Sequence, residues 1–218
     1  MKKLSLLLVL CLAFIFCVNA QNNQTRSSAE ERKSEKSDDD KSYFIGVGIR
    51  GNVYINDDSG SRIEPWKMPS FGGEAFFGKW FNHKVGARIF VAGGSLHPFF
   101  QEEKIMEHEK FLAGRLDLVF NLTNCVRQYS PDRFYNLMPY AGIGFASAFN
   151  ATNRPDGAKG SSSFMFGGGL MNTFRLSDDF SAYFNLGIDI VDANFDGWKD
   201  DKPFNGIFAT SVGVVYKF

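Results

Sequence analysis

Eight stretches of the chain alternate apolar residues with small or polar ones at a period of two, the pattern of a strand with one apolar face. In the first, YFIGVGIRGNVYI, Ile45, Val47, Ile49, Val53 and Ile55 oppose Gly46, Gly48, Arg50 and Asn52. In SFGGEAFFGKW, Phe71, Ala75 and Phe77 oppose Gly72, Glu74 and Phe76; in KVGARIFVAGG, Val85, Ala87, Ile89 and Val91 oppose Gly86, Arg88 and Phe90. The fourth, FLAGRLDLVFNL, sets Leu112, Leu116, Leu118, Phe120 and Leu122 against Ala113, Arg115, Asp117 and Asn121. MPYAGIGFASAF sets Ala141, Ile143 and Phe145 against Tyr140, Gly142 and Gly144, and FMFGGGLMNTFRL sets Phe164, Phe166, Leu170 and Phe174 against Gly167, Gly169, Thr173 and Arg175. FSAYFNLGIDIV sets Phe180, Ala182, Phe184, Leu186, Ile188 and Ile190 against Ser181, Tyr183, Asn185, Gly187 and Asp189. The last, SVGVVYKF, keeps Val212, Val214, Tyr216 and Phe218 in step with Phe208 upstream.

An even number of strands, each of about ten residues or more, suits tilted strands crossing a bilayer. No stretch beyond the first 20 residues has the roughly 20 consecutive apolar residues of a spanning helix. The apolar faces are continuous, while the opposite faces hold glycine, serine, asparagine and isolated charges. A large apolar band suits a lipid exterior, and small residues suit a narrow interior. Closure removes the strand edges that hydrocarbon does not tolerate. The predicted fold is therefore all-β: an eight-stranded antiparallel transmembrane β-barrel over residues 43–218. FNHK (Phe81 to Lys84) and SDD (Ser177 to Asp179) read as tight turns. Longer polar links at 56–69, 97–110, 150–162 and 193–203 fall at the other end, predicted to face outside, with the tight turns in the periplasm. The link TNCVRQYSPDRFYN is an exception, long but on the short-turn side.

Composition sharpens this picture. Residues 1–20 have a basic start (Lys2, Lys3), an apolar stretch and a small-residue site at Val18-Asn19-Ala20, so a secretory signal cut before Gln21 is predicted. Residues 21–42 are almost devoid of apolar side chains and read as a disordered periplasmic leader. Cys125 is the one cysteine outside the signal, too few for a disulfide-stapled domain, and reads as an inert thiol. A formal charge of +0 offers no electrostatic case for nucleic acid. The chain is rich in phenylalanine (24) and glycine (22).

The best-defined constellation is the set of charges on the small-residue faces: Arg50, Glu74, Arg88, Arg115, Asp117, Arg175 and Asp189. In an interior only wide enough for side chains, unpaired charges are very costly, so these are expected to pair. They make either a salt-bridged plug, the reading preferred here, or a gated polar path for ions; which residues pair depends on the strand stagger. HPFFQEEKIMEHEK gathers His97, Glu102, Glu103, Glu107, His108 and Glu109 without fixed ligand spacing, so no metal site is assigned. No histidine lies beside a convincing nucleophile, so neither catalytic residues nor a cofactor are expected. Tyr43, Trp66, Trp80, Phe134 and Trp198 lie near predicted strand ends, where aromatic rings can settle at headgroup depth.

GRLDLVFNLTN followed by RFYNLMPYAGIGF, glycine-rich alternating strands and a terminal phenylalanine together resemble the OmpA-like outer-membrane β-barrel proteins. The resemblance covers residues 43–218. It implies that the last strand, through Phe208, Val212, Val214, Tyr216 and Phe218, is read by the barrel-assembly machinery. It also implies a Gram-negative outer membrane as location, lipid as the main partner and a monomeric barrel. Many relatives add a soluble peptidoglycan-gripping domain, which is not expected here because the chain stops at the last strand. The expected role is structural or interactive, with contacts made by outer loops that carry no recognisable ligand motif. The alternatives are a narrow porin-like channel and, less favoured, an outer-membrane enzyme.

Overall fold

The computed structural model describes residues 42–55, 69–97, 99–100, 105–106, 109–149, 161–192, 195 and 203–218. The predicted signal, the leader up to residue 41, Trp66, Trp198 and most of the long-loop residues lie outside them. Eight strands close into one barrel: β1 (Tyr43–Ile55), β2 (Ser70–Trp80), β3 (Val85–Leu96), β6 (Glu109–Phe120), β7 (Tyr135–Phe149), β8 (Ser162–Arg175), β9 (Phe180–Asp192) and β10 (Phe204–Lys217). A two-residue ribbon, β4 (Phe99–Phe100) with β5 (Ile105–Met106), rises between β3 and β6. Every barrel neighbour is antiparallel, and β1 closes against β10 with Val47 opposite Val214 and Tyr216 opposite Ile45. Tyr43 and Phe218 seal the seam by exchanging both backbone hydrogen bonds at 3.0 Å.

The period of two decides which side chains point where. Ile49, Phe71, Ile89, Leu116 and Phe145 on the outside are more than half exposed, whereas Phe90 on the inside is 1% exposed. The interior is packed in two apolar clusters. One, toward the chain termini and tight turns, joins Phe44, Phe76, Phe90, Met138, Tyr140, Met171 and Tyr183. The other, toward the long loops, joins Tyr54, Leu96, Phe111, Met165, Val191, Phe195 and Ile207. The rings fit because glycines face them: a Cβ on Gly46 would collide with the Phe76 ring, and one on Gly78 with Phe44.

The tight turns form as their residues predict. Asn82 accepts backbone hydrogen bonds from Lys84 (2.8 Å) and Val85 (2.9 Å) through its side-chain oxygen, and Ser177 accepts one from the Phe180 N–H (3.1 Å). The exceptional long link does not hang free. It opens as a short helix, α1 (Leu122–Val126), whose N-cap Asn121 accepts from the Asn124 N–H at 3.0 Å. Asn124 then donates to the His83 carbonyl (2.8 Å) and Thr123 accepts from the Leu137 N–H (2.8 Å), which folds the link back over the barrel rim. Cys125 lies within this helix.

Candidate functional site in the barrel lumen

Between the two apolar clusters lies a belt of charge. Its members come from five strands: Arg50 on β1, Glu74 on β2, Arg88 on β3, Arg115 and Asp117 on β6, and Asp189 on β9. Each sits on an inward position of its strand, and each is 6% exposed or less. Arg88 and Asp117 are direct cross-strand partners, so their ion pair (Nε to Oδ2, 2.8 Å) follows from register alone. Arg50 reaches Glu74 diagonally on the adjacent strand β2, Arg115 reaches Asp117 along its own strand, and both arginines meet Asp189 across the lumen. Arg50 Nη2 lies 2.6 Å from Asp189 Oδ2 and its Nη1 lies 3.6 Å from Glu74 Oε2. Arg115 pairs with both Asp117 and Asp189.

Taken in order, Glu74, Arg50, Asp189, Arg115, Asp117 and Arg88 form one chain of alternating sign. Three guanidiniums face three carboxylates, so the ionised belt carries no net charge. That balance permits burial: a charge taken out of water is tolerated only when paired and further hydrogen-bonded. The remaining donors and acceptors are partly met by neighbours. Glu74 Oε1 accepts from the Tyr183 hydroxyl (2.8 Å) and the Ser211 hydroxyl (2.7 Å), and Arg50 Nε donates to Asn52 Oδ1 (2.6 Å). Aromatic faces take the guanidinium planes: Arg88 lies 4.2 Å from the Tyr140 ring centre and Arg115 4.7 Å from that of Phe90. Glycine again makes the room, since a Cβ on Gly167 would strike both Arg115 and Asp189. Four belt atoms, Asn52 Nδ2, Glu74 Oε2, Arg88 Nη2 and Asn185 Oδ1, have no hydrogen-bond partner among the described residues.

Arg175 corrects the sequence reading. It occupies an inward position of β8, but at the last residue, where the barrel opens at its tight-turn rim. There it pairs with Asp132 (2.7 Å) and Asp178 (2.5 Å), both more than four-fifths exposed, and takes no part in the lumen chain. Trp80 is the second correction. It ends β2 on the inward side and packs on Phe44, ring centres 5.5 Å apart, as the floor of the lower cluster rather than in an outer girdle. Tyr43 does stand on the outer rim, stacked between Phe77 (5.9 Å) and Phe218 (6.1 Å), and Phe134 lies 65% exposed against Phe174. Val212, Val214, Tyr216 and Phe218 all face outward and exposed, with Phe208 on the same face, half-buried. Of the histidines, His83 stacks on Tyr129 at 3.8 Å by the tight-turn rim; Glu102, Glu103, Glu107 and His108 lie outside the described residues. Reasoning from sequence passed over Tyr183, Ser211 and Asn52 as members of the site, although their inward parity placed them on the belt's face.

No family model matches the chain. It is 34% identical over 187 residues to Outer membrane protein 40 of Porphyromonas gingivalis, a match covering 81% of this chain and 48% of that protein. The chain thus spans about half the length of that relative. Among solved structures it is similar to OprG from Pseudomonas aeruginosa, with a TM-score of 0.54 at 12% identity over 82% of this chain and 96% of that one. It is also similar to Ail of Yersinia pestis, the attachment invasion locus protein, with a TM-score of 0.52 at 15% identity over 82% and 99% of the two chains. The sequence relatives are outer membrane proteins, and the fold is that of eight-stranded outer-membrane barrels.

Proposed function

We propose that this outer-membrane barrel protein is of structural and interaction type: the closed barrel holds the chain in the membrane, and its outer loops make the contacts. The observation that carries this reading is the lumen itself, where a neutral belt of paired charges is stacked between two packed apolar clusters. Such an interior is filled by side chains, as barrels of this strand number allow. The same reading has the chain exported by the signal at residues 1–20. The outward face of β10 then serves both as lipid contact and as the address for barrel assembly. Kinship with OmpA-like barrels is part of it.

A narrow polar path is the second reading, favoured by the four belt atoms without partners among the described residues. Planar-bilayer recording separates the two. A plugged barrel gives a flat baseline. Steady single-channel steps that vanish in Arg88→Gln or Asp117→Asn would instead establish the path.

A further inference from the structure

Where α1 folds back against β7, a cleft of about 420 Å³ opens on the outer surface at the tight-turn rim. Its apolar wall is Leu122, Val126, Phe134 and Leu137, and Arg127 and Arg133 stand at its side. Val126 is 78% exposed and Phe134 65%, and Leu137 lies on the outward face of β7, so the cleft runs into the apolar exterior of the barrel. Neither arginine meets a carboxylate among the described residues: Arg133 donates to the Asn124 side-chain oxygen (2.7 Å) and the Gln128 carbonyl (2.5 Å), both neutral, and Arg127 is exposed. The combination is an apolar slot, continuous with a lipid-facing band, ending in two uncompensated guanidiniums.

We propose that this cleft holds one phospholipid of the inner leaflet of the outer membrane, its tail along Leu122, Val126, Phe134 and Leu137 and its phosphate against Arg127 and Arg133. A guanidinium presents forked donors that match phosphate oxygens, which a flexible ammonium does not. The volume lies in the range of about 300–1,000 Å³ typical of small-ligand sites. The length of the link on the otherwise short-turn side is thereby explained, because it builds one wall of the slot and supplies both cations. The inference rests on the membrane reading above.

Native mass spectrometry of the full chain, refolded in mild detergent and supplied with phosphatidylglycerol, tests it. The wild type retains a single lipid adduct. In the double variant Val126→Asp/Arg127→Gln the adduct occupancy falls about tenfold, the size of one lost charge-assisted hydrogen bond. Both positions are exposed, so the variant keeps the barrel, checked by heat-modifiable gel mobility, and Arg127→Gln alone loses occupancy in the same direction. Equal occupancy in wild type and variants overturns the proposal, as does displacement of the lipid by inorganic phosphate alone. A wild-type chain that is monodisperse in plain buffer sinks the membrane reading and the slot with it.

Discussion

Arg115 and Arg175 are built alike and live differently. Each is an arginine on an inward strand position, held between two aspartates: Asp117 and Asp189 for the first, Asp132 and Asp178 for the second. The Arg115 side chain is 1% exposed and the Arg175 side chain 24%, with carboxylate partners buried in one case and open to water in the other. At the rim, water screens the attraction and would solvate any partner left alone, so the pairs contribute little. In the lumen nothing replaces a lost partner, so the same three groups become obligatory to one another. Burial, not the count of ion pairs, decides which of them holds the molecule together.

Removing Asp189 breaks that contrast most severely, because it bridges Arg50 and Arg115. Asp189→Ala is expected to cost about 3–5 kcal/mol, measured by urea unfolding in lipid vesicles, or to abolish refolding. Next in size is a charge placed on the other face of a belt strand. Leu116 lies between Arg115 and Asp117 in sequence but is 59% exposed on the outside. Leu116→Arg should cost about 2–4 kcal/mol in a bilayer if the residue faces the midplane, and nothing measurable if that face meets water. Smallest is the rim: Arg175→Gln should leave the unfolding midpoint where it is.

Much of this was legible in the chain. Alternation alone separates Leu116 and Leu118 from Arg115 and Asp117, because a strand sends successive side chains to opposite faces. Parity carries no information about depth, however. Arg175 shares the parity of Gly167 and Thr173, and only the position where β8 ends shows that it stands at the mouth. Trp80 failed for the opposite reason: its nearness to a strand end suggested a girdle, although it shares the parity of Glu74 and Phe76 and so faces inward. The pairing pattern was legible in part. Arg88 and Asp117 need only their neighbouring strands, but Arg50 with Asp189 and Arg115 with Asp189 join strands that are not neighbours, and so depend on the stagger of the whole barrel. The fold-back of α1 had a local signal in Asn121 as an N-cap three residues before Asn124, but its docking on His83 and Leu137 is tertiary.

The central claim is that the belt is one coupled, buried unit, and the Arg88–Asp117 pair at its end tests this with least disturbance. Removing both leaves Glu74, Arg50, Asp189 and Arg115 still balanced. Urea unfolding in vesicles of Arg88→Met, Asp117→Asn and the double variant should give a double cost smaller than the sum of the single costs by more than about 1 kcal/mol. Costs that simply add would mean the two charges do not feel each other, and the closed, side-chain-filled interior described here would be wrong.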